Sequence, residues 1–464
     1  MNPPPILALL PRLALSALLA ATAGCAEPRR PSLVLVTLDT LRADHVGAYG
    51  DGARTPHLDR FAATATIFEQ AHAPMPMTLP AHFSLFTGRY PREHGVVSNA
   101  LALPESAETL AERLRAQGYA TAGFVAVSLL DADSGAAQGF ERFDAPRERQ
   151  RRAEDVVPLA LDWLASRPPD EPVFLWVHLF DPHLPYAPPP DFRRDLDARL
   201  LGELPALELA TLHRIALANG GDLPRKVFEH ARGLYRGEVE YLDHWIGRLL
   251  EGIDARRAPE ETLTVVVADH GESFEDGVFF EHSESLGEGA LRVPLLIRYP
   301  PRFAPGARVA RPASLVDLAP TLLEALELAP LPGTSGRSLL ASEEPRAVLV
   351  QHPVYSSETL ANRQAMQAAM RSVAGEPTRA IVAGEERVGV IAGGHKLLRS
   401  SAGATELFAL GPDGRERAVE DPAAQARLLA ELERLLAQHP FTLLDDSKID
   451  EGLLEELRDL GYAR

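Results

Sequence analysis

The chain has 464 residues, 45% of them hydrophobic, which is enough for a large core and two or three domains. Its 65 acidic residues outnumber its 47 lysines and arginines and give a net charge of −18. With no basic patch evident, nucleic acid is not expected as a partner. The single cysteine, Cys25, excludes internal disulfides and zinc–thiolate sites.

Residues 1–25 have the pattern of an export signal. Arg12 is the only early cation, and the apolar run at 13–23 is too short to span a membrane. Thr22-Ala23-Gly24-Cys25 is similar to a bacterial lipobox, although Thr22 replaces the usual leucine. An ordinary secretory cleavage site just upstream stays open as an alternative. We expect an exported, periplasmic or cell-envelope protein that is lipid-anchored to the membrane at Cys25.

Strands and helices alternate in the next part of the chain. Apolar runs rich in β-branched residues, without alternation, predict buried strands at 33–38, 123–127, 173–179, 263–268 and 293–297. Helical patterns separate them at 108–117, 155–166, 227–253 and 315–328. This order predicts an α/β fold, a sheet covered by helices on both faces. Residues 193–225 are predicted to form a helical or irregular insertion over one edge.

Several short motifs follow one another in a fixed order. They are TLDTLRAD within 34–44, TPHLD at 55–59, TLPAH at 78–82, TGRYP at 87–91, HGV at 94–96, FDPHLPY at 180–186 and ADHGE at 268–272. In this order they resemble the sulfatase branch of the alkaline phosphatase superfamily over about residues 32–412. Thr78 stands where a sulfatase carries the cysteine that becomes formylglycine. The chain therefore resembles a sulfatase variant without the sulfatase cysteine.

The resemblance implies an alkaline-phosphatase-like sandwich, in which helices cover a large, mostly parallel sheet. It also implies a small C-terminal subdomain with an antiparallel sheet and one packing helix, here at 422–438. We assign residues 26–341 to a sulfatase-like catalytic domain and 342–440 to the subdomain. Residues 441–464 form an amphipathic tail, whose predicted helix at 450–462 is expected to dock on the body.

Acidic and imidazole side chains directly follow three of the predicted strands. Asp39 follows the first, Asp181 and His183 follow the third, and Asp269 and His270 follow the fourth. Ligands of open parallel sheets bind at the carboxyl ends of strands, so these residues are expected on one rim. Strand-end aspartates can also merely cap turns. Together with His270, however, they offer the oxygen and nitrogen donors that a divalent ion needs.

The resemblance extends this metal site. Thr40 takes the place of a second family carboxylate or amide, and Thr78 falls on the nucleophile. The implied ligands of one divalent metal ion are Asp39, Thr40, Thr78, Asp269 and His270. Because Thr40 is a weaker, neutral ligand, the identity of the ion (calcium, manganese or zinc) stays open.

Thr78 has two interpretations. It precedes a predicted short helix at 79–86 with Pro80 in the first turn, so it can be an N-cap of a helix that binds an anion. As a nucleophile its hydroxyl would need activation by a cation or a base. The resemblance favours the nucleophile, since threonine fills that role in superfamily branches that cleave or transfer phosphodiester groups.

Three histidines complete the implied site. His82 stands where sulfatases have arginine, and it could orient Thr78 or neutralise the ester oxyanion. His183 and His282 match family positions that bind the transferred group and protonate the leaving oxygen, work that suits a side chain with a pKa near neutrality. Structural roles are expected for the remaining candidates, which are His178, His244 and His352.

One departure from the family bears on the substrate. Residues 122–127 read AGFVAV, without the lysine and histidine by which sulfatases grip sulfate. Without formylglycine, a sulfated Thr78 would have to be hydrolysed directly. We therefore expect a metal-dependent hydrolase of sulfate- or phosphate-type esters, with phosphodiesters or phosphonate esters favoured over sulfate esters. The substrate would be a small molecule or a glycan or lipid ester.

Two alternatives stay open. An envelope phosphotransferase would hand a phosphoethanolamine- or phosphoglycerol-type group to an acceptor, although such enzymes normally bring several transmembrane helices. A binding lipoprotein would keep the fold without catalysis, but Asp39, Asp269, His270 and His183 argue against loss of the site.

Overall fold

The computed structural model describes residues 30–275, 277–340, 346–352, 357–379 and 387–441. The export signal with Cys25 and the predicted tail helix at 450–462 lie outside the described residues. Within these ranges, no helix combines the length and apolar character needed to cross a membrane.

The strands, in chain order, are β1 (Ser32–Leu38), β2 (Thr66–His72), β3 (Ala120–Phe124), β4 (Arg142–Asp144), β5 (Val173–Leu179), β6 (Asp222–Leu223), β7 (Thr262–Ala268), β8 (Ser273–Glu275), β9 (Val278–Glu281), β10 (Arg292–Val293), β11 (Leu295–Arg298), β12 (Arg308–Ser314), β13 (Val348–Gln351), β14 (Ser372–Val373), β15 (Glu376–Pro377), β16 (Arg387–Ala392), β17 (His395–Ser400), β18 (Thr405–Leu410) and β19 (Glu416–Ala418). The α-helices are α1 (Pro56–Ala62), α2 (Thr78–Thr87), α3 (Pro91–His94), α4 (Leu110–Ala116), α5 (Ala153–Ala165), α6 (Ala198–Glu203), α7 (Leu209–Ala218), α8 (Arg225–Asp254), α9 (Glu288–Leu291), α10 (Leu318–Ala325), α11 (Ser357–Ala369) and α12 (Pro422–Gln438).

The main sheet has the order β10-β2-β11-β7-β1-β5-β3-β4, with β12 paired to β2. Strands β7, β1, β5, β3 and β4 are parallel, whereas β11 runs antiparallel to β7. Every residue of β1, β5 and β7 is buried, as their continuous apolar runs predicted. The expected mostly parallel α/β sheet is confirmed, and its centre brings the ends of β1, β5 and β7 side by side.

Two predicted strands have different bounds in the structure. The run at 123–127 was placed too late, since β3 ends at Phe124 and the chain then turns toward the site. The run at 293–297 is divided into β10 and β11 around Pro294, which has no N–H group to donate to the ladder.

Helices pack in two groups on the main sheet. Helix α8 contacts α1 and α5, and α2 contacts α4 and α10. The Asp243 carboxylate of α8 accepts hydrogen bonds from the backbone N–H groups of His57 (3.1 Å) and Leu58 (2.8 Å). A side chain from another helix thus caps the first turn of α1, which contains most of the TPHLD motif.

Two smaller sheets accompany the main one. The antiparallel sheet β13-β16-β17-β18-β19 packs against α12, as expected for the C-terminal subdomain. The three-stranded sheet β15-β14-β6 joins the insertion to a later part of the chain, and α7 packs on α11. We call these two segments, residues 190–224 and 357–379, the cap. The insertion at 193–225 was predicted, but its pairing with the later segment was not, because that pairing joins residues about 150 positions apart.

Candidate active site

Three buried side chains meet beyond the ends of β1 and β7. One carboxylate oxygen each of Asp39 and Asp269 and one ring nitrogen of His270 lie within 4.8 Å of one another. His270 Nε2 is 3.5 Å from Asp269 Oδ2 and 4.0 Å from Asp39 Oδ1. Both of these carboxylate oxygens are buried without a hydrogen-bond partner. An unsatisfied pair of buried carboxylate oxygens is the environment that a bound cation would complete.

The protonation state of His270 also fits binding of a cation. Its Nδ1 lies 3.0 Å from the carbonyl oxygen of Gly271, which can only accept, so Nδ1 carries the hydrogen and the Nε2 lone pair faces the carboxylates. Burial raises the pKa of both Asp39 and Asp269 and lowers the pKa of His270. A divalent cation would reverse the first effect by stabilising both carboxylates. Two carboxylate oxygens and one imidazole nitrogen suit calcium, manganese or zinc.

Thr40 borders this cluster in a strained conformation. Its φ is +51°, in the left-handed region that β-branched residues avoid, and its buried Oγ1 has no hydrogen-bond partner. The Tyr235 hydroxyl donates a hydrogen bond of 2.7 Å to the Thr40 carbonyl oxygen and holds this turn. Strain that the surrounding structure maintains is concentrated at functional sites.

Thr78 points its hydroxyl at the cluster. Its Oγ1 lies 3.5 Å from Asp39 Oδ2 and 3.5 Å from His270 Nε2. The prediction that Thr78 is the N-cap of α2 was wrong, because the helix begins at Thr78, Met77 is the cap residue, and no side chain of the cap residue bonds the first turn. Asn99 supplies one of the missing capping hydrogen bonds, because its Oδ1 accepts the Leu79 N–H at 2.9 Å. Its buried Nδ2 has no partner among the described residues.

His82 is held at both ring nitrogens by protein atoms. Nδ1 donates to the Thr78 carbonyl oxygen at 2.9 Å and also lies 3.5 Å from Asp269 Oδ2. Nε2 accepts from the Thr37 hydroxyl at 3.0 Å, and that hydroxyl accepts from Trp176 Nε1 at 2.9 Å. Burial lowers the pKa of His82 to about 3, so the ring is neutral. This chain of bonds ties the first turn of α2 to strands β1 and β5.

His178 belongs to the site, although its sequence pattern predicted only a structural role. The backbone N–H of Ala126 donates to His178 Nδ1 at 3.3 Å, which places the ring hydrogen on Nε2. Nε2 lies 3.4 Å from Asp39 Oδ2. The segment that lacks the expected lysine and histidine thus orients a histidine that supports Asp39.

His183 and His282 stand beside the cluster, and Glu272 lies next to His282. The His183 and His282 rings are 5.4 Å apart, and His282 stacks on His270 at 4.4 Å. Glu272 Oε1 lies 3.4 Å from His282 Nδ1, and Glu272 Oε2 accepts the Tyr186 hydroxyl at 2.9 Å. Burial lowers the pKa of His183, lowers the pKa of His282 to about 3 and raises the pKa of Glu272 to about 7.

Two other candidates lie apart from the cluster. The Asp181 carboxylate accepts the Ala153 N–H at 2.9 Å and pairs with Arg152 at 3.3 Å, so it anchors the loop before His183. His244 packs edge-on against Trp245, in keeping with the structural role expected for it.

A family model described as Sulfatase matches residues 31–328, which is more than half of the chain. The chain belongs to the sulfatase family. The strand-end cluster and Thr78 lie inside the matched region of this sulfatase domain, within the superfamily of alkaline phosphatases.

This chain is also similar to individual sulfatases and to related hydrolases of known structure. Steryl-sulfatase of Mus musculus is 29% identical over 416 residues, an alignment that covers 69% of this chain and 66% of the mouse protein, just under two thirds of its length. A second relative is a protein whose structure was solved in complex with its substrate, D-glucosamine-2-N,6-O-disulfate. Its TM-score is 0.68 at 18% identity, and the superposition covers 91% of this chain and 99% of that chain. Phosphonate monoester hydrolase of Agrobacterium radiobacter has a TM-score of 0.65 at 20% identity, with 89% and 96% covered. These structures show that the fold is the expected sulfatase-like sandwich.

Three residues that border the candidate site escaped the sequence-based prediction. Glu272 stands in the ADHGE motif, two residues after His270, and its place could have been suspected there. His178 is an imidazole inside a buried strand, one residue before the strand ends, which is a weak signal. Asn99 carries no local signal, because only the packing of its loop brings it to the start of α2.

Proposed function

We propose that this protein is a metal-dependent hydrolase of sulfate- or phosphate-type esters in which Thr78 is the nucleophile. The observation that carries the proposal is the position of Thr78 Oγ1, 3.5 Å from both Asp39 Oδ2 and His270 Nε2, in a helix turn that it does not cap. Both contacts are at the outer limit of hydrogen bonding, so they place the hydroxyl beside the candidate metal ligands without engaging it strongly. Its burial also keeps bulk water away from the reacting atoms.

The ligands of one divalent ion would be Asp39, Thr40, Thr78, Asp269 and His270. When bound, the ion supplies Lewis acidity, which lowers the pKa of a coordinated hydroxyl and polarises the ester oxygens. His178 supports this set by donating its Nε2 hydrogen toward Asp39, and second partners of this kind commonly affect metal affinity by about 10- to 100-fold.

The proposed reaction has two steps on the protein's own residues. The Thr78 hydroxyl gives its proton to Asp39 Oδ2, 3.5 Å away, as Oγ1 attacks the phosphorus or sulfur atom. The bond to Oγ1 forms, and the bond to the leaving alcohol breaks as a second proton reaches the alcohol oxygen. His282 or His183 delivers that proton, and a bound anionic ester would raise the pKa of both rings by stabilising their charged forms. Water then attacks the same atom and gives a proton to the histidine that has become neutral. The bond to Oγ1 breaks, Thr78 regains its proton from Asp39, and the phosphate or sulfate product is released.

Neighbouring side chains position the reacting groups. His82 is neutral and fully engaged with Thr37 and the Thr78 carbonyl, so we assign it to orienting Thr78 and not to neutralising the oxyanion. Asn99 holds the Leu79 N–H through Oδ1, which leaves its buried Nδ2 as a donor for an oxygen of the transferred group.

A preference for phosphorus over sulfur extends the proposal. Residues 125–127 are buried and apolar, and the Ala126 N–H is engaged by His178, so this segment offers no charge to a sulfate group. A phosphorylated threonine beside a metal ion has a direct hydrolytic route, whereas a sulfated one lacks the elimination that formylglycine provides. The structural likeness to phosphonate monoester hydrolase is compatible with this preference.

Four aryl substrates test the preference directly. The metal-loaded protein is assayed with p-nitrophenyl sulfate, p-nitrophenyl phosphate, bis-p-nitrophenyl phosphate and p-nitrophenyl phenylphosphonate, with Thr78→Ala as the blank. We expect the highest kcat/KM for the diester or the phosphonate. If p-nitrophenyl sulfate gives the highest value, the phosphorus preference is wrong, and if none is turned over above the blank, the hydrolase proposal fails.

A further inference from the structure

The segment that follows β5, residues 180–187, brings two side chains to the candidate site, and we call it the His183 loop. The rings of His183 and His282 are 5.4 Å apart, and the Tyr186 hydroxyl donates to Glu272 Oε2 at 2.9 Å. His183 and Tyr186 lie outside the named helices and strands. Their positions therefore depend on how the backbone of the loop is held.

The His183 ring follows the backbone of its own loop. Nδ1 lies 2.7 Å from the carbonyl oxygen of Leu184, which can only accept, so Nδ1 donates to it. The ring also stacks on Phe180, with the two ring centroids 4.3 Å apart. Because both contacts are made within the loop, a shift of the loop backbone moves the His183 ring with it.

Two buried carboxylates hold the two ends of the His183 loop. At one end, Asp181 Oδ2 accepts a hydrogen bond of 2.9 Å from the N–H of Ala153, the first residue of α5. At the other end, Glu238 Oε1 of α8 accepts a hydrogen bond of 2.7 Å from the N–H of Ala187. The Asp181 and Glu238 side chains are 1% and 0% exposed. Carboxylates buried to this degree are costly unless a cation accompanies them.

Arg152 is the cation that joins these two carboxylates. Its Nη2 lies 2.8 Å from Glu238 Oε2 and 3.3 Å from Asp181 Oδ1. Its guanidinium group also lies over the Tyr241 ring, 4.4 Å from the centroid. Arg152 directly precedes α5, so it stands where α5, α8 and the His183 loop meet. One nitrogen atom thus compensates the carboxylates at both ends of the loop.

We propose that Arg152 is a positioning residue for His183 in the reaction of Thr78, and that it acts through Asp181 and Glu238. The inference rests on the proposed hydrolase function. Without the arginine, the two buried carboxylates lose their shared cation and have to take up a proton or water, and either change loosens the ends of the loop. A displacement of about 1 Å at a reacting group can lower a rate about 100-fold.

The test removes the cation without touching the candidate site. Arg152→Met keeps an unbranched side chain and deletes the guanidinium group. Arg298→Met is the matched control, because the Arg298 side chain is 6% exposed and pairs with a single carboxylate, that of Asp254, at 2.8 Å. Arg298 is the register partner of Thr264 near the start of β7, whereas Asp269 follows the end of that strand. Both variants lose a buried ion pair, so both should lower Tm, and turnover is measured well below either Tm.

We expect Arg152→Met to lower kcat/KM for the best of the four aryl esters about 10- to 100-fold. Arg298→Met should leave this value unchanged. In a His183→Ala background, Arg152→Met should cost less than about threefold, because the side chain that it positions is gone. Equal losses in the two backgrounds, no loss in either, or a matching loss in Arg298→Met would overturn the assignment.

Two milder variants keep the test decisive if Arg152→Met does not fold. Arg152→Lys restores a positive charge without the planar fork and should lose less kcat/KM than Arg152→Met. Glu238→Gln has only one accepting oxygen, so it can keep only one of the hydrogen bonds from Arg152 and Ala187. It should lower kcat/KM at least about threefold where His183 is present, and much less in His183→Ala. The same loss in both backgrounds would contradict the proposal.

Hydrogen exchange separates failure of the positioning role from failure of the proposed reaction. Mass spectrometry follows exchange in a peptide that covers the His183 loop, including the Ala187 N–H. If no ester is hydrolysed, but this peptide exchanges faster in Arg152→Met than in wild type and Arg298→Met, Arg152 holds the loop and the hydrolase function falls. If the esters are hydrolysed and Arg152→Met equals the wild type in turnover and exchange, the positioning role falls and the hydrolase function stands. Absence of both hydrolysis and faster exchange would overturn both.

Discussion

Replacing Thr78 by valine should abolish turnover while leaving the fold intact. Valine keeps the shape of threonine, so no cavity forms in this buried turn. A lost N-cap would cost about 1 kcal/mol, but Met77 is the cap residue and the Thr78 side chain makes no capping bond. The substitution removes only two contacts of 3.5 Å, at the outer limit of hydrogen bonding and each worth less than about 1 kcal/mol. We expect Tm to change by less than about 4 °C.

The effect on catalysis should be far larger. Loss of a covalent nucleophile commonly lowers kcat by about three decades or more, which corresponds to at least roughly 4 kcal/mol of transition-state stabilisation. Thr78→Ser retains a hydroxyl and should keep measurable activity. The measurements are kcat on the best aryl ester, Tm, and mass spectrometry of acid-quenched enzyme for a modified Thr78. Wild-type kcat in Thr78→Val, or a loss of activity explained by a parallel fall in Tm, would refute the nucleophile assignment.

Three further predictions concern the metal, the subdomain and the N-terminus. Asp269→Asn should weaken metal binding at least about tenfold in a chelator competition, and an unchanged affinity would place the metal elsewhere. Lys396→Met should cost roughly 1.5–3 kcal/mol in denaturant unfolding, because the buried Glu288 carboxylate loses its lysine partner, 3.3 Å away, and keeps His72 at 3.1 Å. Burial alone would raise the pKa of Glu288, but His72 and then Lys396 hold it at about 2. Its stabilising effect is therefore complete above about pH 4.5 and lost as the pH falls toward 2, and Lys396→Met should move that loss to higher pH. We propose that Cys25 is lipidated, so labelled fatty acid should enter the wild type and not Cys25→Ser, and an unmodified mature terminus would contradict this.

Continuous strands and the residues that end them could be predicted from the sequence alone. The apolar run of β1 specifies burial on both faces of a sheet, and a strand buried in this way has parallel neighbours. Parallel strands bring their carboxyl ends to one edge, so the sequence predicts that Asp39, Asp269 and His270 lie together. The order of the short motifs indicated the sulfatase family, and the match to the family model confirms it.

Features that depend on long-range packing required the tertiary structure. The caps of α1 and α2 come from Asp243 and Asn99, which reach the helix starts from distant parts of the chain, so neither is visible in the helix sequence. The contact of His178 with Asp39 depends on the register of β5 against β1. The pairing of β14 with β6 joins the two segments of the cap, which are about 150 residues apart. Local sequence determines which residues form a strand or a helix, whereas these contacts depend on where the chain places segments that are remote in sequence.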